Sequence, residues 1–186
     1  MGDFDAIVLA GGTARRLGGV PKHTIEVDGR TLLQRALDAV AEAERIVVVG
    51  GDELRELVGE AMVVREDPPL AGPAAGIGAG LECVAAERVV VIACDHPFVA
   101  DAIDPLLRET SGAGTIAVDG GGRRQNLLFA VRSDALREAV RRHHSLANLA
   151  VHDLLEPLHL AEVNVPPRAL RDVDTWADLE EDLLDE

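Results

Sequence analysis

The sequence predicts an open α/β sandwich, a mostly parallel sheet covered by helices on both faces, in a single domain over residues 1–186. Three observations predict it. Short β-branched runs alternate with amphipathic segments along the chain. Several of those runs are apolar throughout, as strands buried on both faces should be. A length of 186 residues with 47% apolar content also suits one sizeable core. No internal repeat, low-complexity tract or interdomain linker breaks the pattern.

Taken in order, DAIVLA (5–10), RIVVVG (45–50), AMVVRE (61–66), RVVVIAC (88–94), GTIAV (114–118) and NLLFAV (126–131) have strand length and turn-forming or charged borders. Between them, TLLQRALDAVAEA (31–43) places Leu32, Leu33, Ala36, Leu37 and Val40 on one helical face, with Thr31 as its cap. Segments 52–59, 101–110 and 133–143 read as helices too, each opening with a capping residue or an acid. His143 and His144 are solvated helix-end residues in this reading.

Charge and cysteine usage exclude several functions. With 33 acidic against 18 basic residues the net charge is −15, which repels nucleic acid and anionic membrane surfaces. The opening MGDFDAIVLAGG lacks the basic region and apolar stretch of a secretory signal, and no run reaches the roughly 18 apolar residues of a membrane span, so a cytoplasmic protein is expected. Cys83 and Cys94 are too few for a disulfide framework and lack metal-ligand spacing; they read as reduced, core-type side chains.

In an open sheet of this kind ligands gather beyond the carboxyl ends of the strands. The first strand runs directly into LAGGTARRLGGVPK (9–22), which holds four glycines, Arg15, Arg16 and Lys22, the only lysine of the chain. Glycines allow close backbone approach and an anion-binding nest of N–H groups. Lysine adds a point charge for a phosphate oxygen, and arginine a fork that grips two. The loop suits a polyphosphate. It is not a Walker loop, because Val20 and Pro21 precede Lys22 and TIEVDG follows as a short extended piece; it is not a dinucleotide fingerprint, because two arginines and a second glycine pair stand where a helix should open. Asp95, just past the fourth run in ACDHPF, has the hard oxygens that hold Mg²⁺ against nucleotide phosphates, and equally the placement of a helix cap. Asp67 in EDPPLAGP reads as a turn aspartate, in a loop stiffened by Pro68, Pro69 and Pro73.

The 9–22 loop resembles the signature loop of the nucleotidyltransferases related to the molybdenum cofactor guanylyltransferase. EDPPLAGPAAGI, ACDHPFV, RRQNLLFAV and RDVDTWADLEE are similar to segments of that family in the same order, so the resemblance covers nearly the whole chain. It implies a Rossmann-like nucleotidyltransferase fold that binds GTP with Mg²⁺, transfers GMP to molybdopterin and releases pyrophosphate. It implies Lys22, Arg16 and Asp95 as catalytic residues, Leu9, Ala10, Gly11, Gly12, Lys22, Asp67 and Asp95 as nucleotide-binding residues, and Asp95 with Asp174 as metal ligands. Acceptor binding falls near Arg124 and Gln125, and His96 shapes the site. Transient contact with proteins of cofactor insertion or with molybdoenzymes is a further implication.

Some positions depart from the family pattern. Asn126 replaces a proline common among relatives, and Gly50 stands where some carry an asparagine that touches the nucleotide. Asp172 and Asp174 take the places of an Asn-x-Asn or Asp-x-Asp pair, while Thr175 with Asp178 also reads as an ordinary helix start. Cytidylyl transfer to molybdopterin is disfavoured, since LAGG and RRQN replace the L-A-A-G and R-G-H-P of those enzymes. Guanylyl transfer to adenosylcobinamide phosphate or phospholactate stays open, as does a noncatalytic nucleotide-binding adaptor.

Overall fold

Alternation of apolar side chains along each strand decides the layering. In β1 (Phe4–Leu9), Phe4, Ala6 and Val8 pack into one core while Ile7 and Leu9 pack into another on the opposite face. β6 (Arg88–Ala93) and β8 (Arg124–Arg132) divide the same way: Val90, Ile92, Leu128 and Ala130 on the first face, Val89, Val91, Phe129 and Val131 on the second. A strand needed by two cores is apolar throughout, as the sequence shows. The structure, a computed structural model, describes residues 3–11, 20–108, 112–173, 175 and 178.

With β4 (Ile46–Val49), β5 (Met62–Val64), β7 (Gly114–Val118) and β9 (Ala161–Asn164), these strands form one seven-stranded sheet in the order β5-β4-β1-β6-β8-β7-β9. β1, β4, β5 and β6 are mutually parallel, whereas β8 is antiparallel to both of its neighbours, β6 and β7. Helices α1 (Leu32–Ala39) and α3 (Ala100–Arg108) cover the first face. Helices α2 (Pro73–Leu81), α4 (Ser133–Arg141) and α5 (Val151–Leu155) cover the second. The expected fold class is therefore observed, with one reversed strand inside a mostly parallel sheet.

Local chemistry explains most boundaries. Thr31 caps α1 in a reciprocal box: its side chain accepts from the Gln34 N–H, and the Gln34 side chain accepts from the Thr31 N–H. The helix ends at Ala39, short of the expected 43. Segment 52–59 was expected to be helical but forms only a 3-10 turn over Asp52–Glu56. The expected extended piece is present as β2 (Glu26–Val27), which forms a hairpin with β3 (Arg30–Thr31); Asp28 and Gly29 both take positive φ, the mirror-type turn that Asp-Gly favours. Helix α2 was not anticipated. It contains three glycines, and Gly76 and Gly80 lie so close to β1 that an added Cβ would stand 3.4 Å from Leu9 and 2.9 Å from Ile7. Cys94 is buried, Cys83 half-buried, and both are free thiols, as expected. Among the described residues no helix is long and apolar enough to cross a membrane.

Candidate active site

The chain runs outward from β1 through β4 to β5, then returns to the other side of β1 as β6. The sheet order therefore reverses between β1 and β6, the point at which an open α/β sheet leaves a crevice beyond the carboxyl ends of its strands. Leu9 pairs in register with Ala93, which brings Gly11 and Asp95 out at the same edge.

Into this crevice comes Lys22. Its 3-10 turn, Lys22–Thr24, is closed by Thr24 Oγ1 donating to the Pro21 carbonyl (2.8 Å) and by the Ile25 N–H donating to the Lys22 carbonyl (3.1 Å). Beneath it Ile25, Val27, Leu32 and Val173 form a small core of their own, with Phe98 packed against it. Arg35 reinforces the arrangement by donating twice to the Val27 carbonyl while its guanidinium lies 5.5 Å from the Phe98 ring; Arg168 lies 4.9 Å from the same ring. This core links the Lys22 turn to the segment after Asp95 and to residues 170–173.

The result is a contact across 73 residues of sequence: Lys22 Nζ donates to Asp95 Oδ2 at 3.0 Å, with both side chains about three-quarters buried at 22% and 25% exposure. Asp95 Oδ1 is buried and has no hydrogen-bond partner among the described residues. An unpartnered buried carboxylate oxygen is costly unless something positive meets it, and a hard oxygen suits Mg²⁺. No group of three or more His, Cys, Asp or Glu able to hold a metal occurs among the described residues. Mg²⁺ does not require one, because it commonly takes one or two protein carboxylates and completes its shell with phosphate oxygens and water. Asp95 fits that role.

His96 is buried beside it. Its Nδ1 stands 3.1 Å from the Arg171 carbonyl, which can only accept, so Nδ1 carries the proton. The Val173 N–H donates to the Asp95 carbonyl at 2.9 Å. Together these bonds pin 171–173 to the strand end, a shaping role for His96. His23, next to Lys22, is held below the usual histidine range by burial, with Glu53 opposing the shift; it adds no charge near neutral pH.

Backbone geometry narrows the expected nucleotide cradle. The Ala10 N–H is committed to Val49 and the Leu9 carbonyl to Cys94, both within the sheet. Gly11 is exposed, and an added Cβ would meet only ordinary contacts at 3.9 Å. Packing against the described residues therefore does not demand glycine there, whereas close approach of a ligand would. Gly50 has an internal reason: a Cβ would lie 2.3 Å from the buried Leu54 side chain. Asp67 is exposed in the loop after β5 and makes no hydrogen bond or ion pair with Lys22 or Asp95. Gly12, Arg16 and Asp174 lie outside the described residues. Thr175 and Asp178 form the reciprocal bonds of a helix start, at 2.6 and 3.4 Å.

Between β6 and β8 the ladder ends at Ile92 and Leu128, and beyond it a cavity of about 400 Å³ opens. Asp95, His96, Gln125, Asn126 and Asp172 line it, with Arg123 and Asp119. Gln125 lines this cavity, and Arg124 is paired with Glu162 at 2.8 Å. Arg123 and Asp119 were missed. Their signal was the DGGGR turn between two strand runs, where Asp119 Oδ1 accepts from the Gly121 and Arg123 N–H groups at 2.9 Å. The Arg123 N–H, and after it that of Gly121, holds the Asp119 carboxyl below the usual range.

A reversal-point crevice that brings one lysine against one strand-end carboxylate, with a glycine at the edge, defines a nucleotide-handling α/β enzyme. The chain matches the MobA-like NTP transferase domain over residues 6–162 and belongs to that family; it is a nucleotidyltransferase. Among its relatives, a probable molybdenum cofactor guanylyltransferase from Pelotomaculum thermopropionicum is 30% identical over 172 residues, 90% of this chain and 82% of the relative. A molybdenum cofactor guanylyltransferase from Shewanella piezotolerans is 25% identical over 143 residues, 74% of this chain and 70% of the relative. The crystal structure of molybdopterin-guanine dinucleotide biosynthesis protein A from Archaeoglobus fulgidus shares the fold, with a TM-score of 0.75 at 22% identity and 96% coverage of both chains.

Proposed function

We propose that this enzyme transfers GMP from GTP to the terminal phosphate of molybdopterin and releases pyrophosphate. The observation that carries the reading is the meeting of Lys22 with Asp95 at the reversal point, in a chain whose relatives bear the name molybdenum cofactor guanylyltransferase. A GTP-using enzyme of this type works in the cytoplasm.

The nucleophile is a phosphate oxygen of the acceptor, which attacks the α-phosphorus of GTP; the bond to the β-phosphate oxygen breaks and pyrophosphate leaves with that electron pair. A phosphate monoester is already anionic at neutral pH, so no strong base is needed. The obstacle is bringing two polyanions together. Lys22 answers it by moving from Asp95 to the phosphates, where a fixed cation in a partly dry crevice stabilises the charge that develops. Arg16 adds a second cation from the same loop. Gly11 lets the backbone approach the nucleotide, and Asp67 contacts it from the β5–α2 loop. Asp95, with Asp174, would hold Mg²⁺, which when bound neutralises phosphate charge and favours in-line geometry. The cavity beside Asp95 takes the acceptor, with Gln125 and Arg123 on its wall.

The test is pyrophosphate release from each of the four nucleoside triphosphates against molybdopterin, with and without Mg²⁺. Release from GTP that requires both molybdopterin and Mg²⁺ supports the reading; release that prefers CTP, or that occurs only with another phosphorylated acceptor, refutes it.

A further inference from the structure

Asp95 Oδ1, the buried oxygen that finds no hydrogen-bond partner among the described residues, lies 3.7 Å from His96 Nε2. That is too far for a hydrogen bond. Because Nδ1 keeps the ring's proton on the Arg171 carbonyl at 3.1 Å, the neutral imidazole leaves Nε2 unprotonated, with a lone pair beside the carboxylate. Two acceptors side by side in a buried place are costly unless something positive meets both. Lys22 donates to the other oxygen, Oδ2.

A histidine that holds a metal has this form: one ring N–H is anchored on a backbone carbonyl, which fixes tautomer and orientation, and the other nitrogen is left for the cation. Two bonds of about 2.1 Å end to end cover about 4.2 Å, so a separation of 3.7 Å lies within the reach of one ion. Both residues line the 400 Å³ cavity, whose wall carries the carboxylates of Asp95, Asp119 and Asp172 against the guanidinium of Arg123. That balance favours a cation. We propose that His96 Nε2 is a metal ligand and, with Asp95 Oδ1, makes a mixed nitrogen and oxygen site for a divalent transition cation of the Zn²⁺ kind. Imidazole suits such ions, whereas Mg²⁺ prefers oxygen throughout its shell. This deepens the transfer reading by naming the class of ion that Asp95 takes, and rests on that reading only for the phosphates that would complete the shell.

Calorimetric titrations of Zn²⁺ and of Mg²⁺ onto the nucleotide-free protein test it. His96→Asn keeps an amide donor near the position of Nδ1, for the Arg171 carbonyl, and removes Nε2; His96→Gln is a second variant that also lacks the ring nitrogen. The expected result in His96→Asn is Zn²⁺ binding weakened about tenfold or more, with the Kd for Mg²⁺ within about twofold of wild type. Zn²⁺ affinity unchanged in both variants overturns the proposal. So does a loss shared equally by Zn²⁺ and Mg²⁺, which would leave His96 only the shaping of the segment around Asp95. The direct readout is the two-bond ¹H–¹⁵N spectrum of the His96 ring in the wild type, assigned by its loss in either variant and followed as Zn²⁺ is added. A saturable shift of Nε2 larger than that of Nδ1 supports the assignment, and a stationary Nε2 overturns it. Wild-type protein that releases no pyrophosphate from GTP with molybdopterin under either ion refutes the guanylyl-transfer reading, while the Zn²⁺ titrations still decide His96.

Discussion

Replacing Lys22 by methionine should produce two opposite effects in one protein. The stem stays packed and the ammonium is lost. In the structure that ammonium lies 3.0 Å from Asp95 Oδ2, with both side chains about three-quarters buried. At that separation the attraction is about 1.4 kcal/mol in water and about 5.5 kcal/mol at an effective dielectric of 20. Partial exposure and side-chain entropy place the net value toward the lower figure. A divalent cation taking up the same carboxylate meets the charge of Lys22 beside it at Oδ2, so removing that charge should tighten Mn²⁺ binding to the nucleotide-free protein by about tenfold, since each 1.36 kcal/mol is a factor of ten. Turnover with GTP and acceptor should fall on the order of 10²- to 10³-fold, the usual loss when one charge-stabilising group is removed from a transition state. The assay is a Mn²⁺ titration by electron paramagnetic resonance, alongside pyrophosphate release. Mn²⁺ affinity that is unchanged or weaker in Lys22→Met would refute the competition between the two cations; undiminished turnover would remove Lys22 from the chemistry.

Asp95→Asn should lose Mg²⁺-dependent turnover and Mn²⁺ binding together, while circular dichroism stays that of the wild type; retained Mn²⁺ affinity would reassign the ligand. Thr115 is fully buried and its Oγ1 donates to the Leu106 carbonyl at 2.8 Å, so Thr115→Val should cost about 1 kcal/mol, lowering Tm by roughly 2–4 °C with kcat per folded molecule unchanged. Burial, followed by the charge of Asp95, pushes the Cys94 thiol up from 9.0 to about 12. The folded state therefore holds this proton more tightly than the unfolded one: the contribution is fully present below pH 9 and is lost as the pH rises from 9 toward 12, by up to about 1.4 kcal/mol per pH unit. Chemical denaturation at pH 8 and at pH 10 should show that loss in the wild type and less of it in Cys94→Ala. Val173→Ala, in the small core under the Lys22 turn, should destabilise by about 1–3 kcal/mol and weaken GTP binding; normal affinity would mean that this core does not position Lys22.

Much of the fold was legible because its signals are local. Every strand of the seven-stranded sheet except β9 was announced by a β-branched run, and the Thr31–Gln34 box by its spacing. What escaped has physical reasons. Gly76, Gly78 and Gly80 gave α2 the composition of a loop, although at Gly76 and Gly80 the glycines are there to bring the helix down onto β1. Asp52–Glu56 carries helical periodicity over too few residues to outlast its packing, and only a 3-10 turn forms. The reversed direction of β8 follows from the short DGGGR connection, since a parallel return would need a crossover of a dozen residues or so.

By itself the sequence singled out the side chains offered here as candidates for the chemistry. One lysine in a glycine-rich loop and one aspartate at a strand end are chemical identities fixed by the chain, and alternating apolarity fixed the layers around them. Only the tertiary structure decided that these two side chains meet, which oxygen of Asp95 has no hydrogen-bond partner among the described residues, and that a cavity lined by Asp95 opens beside them. Local pattern encodes the face a residue turns, whereas convergence across 73 residues depends on strand order, crossover direction and the small core that holds the Lys22 turn in place.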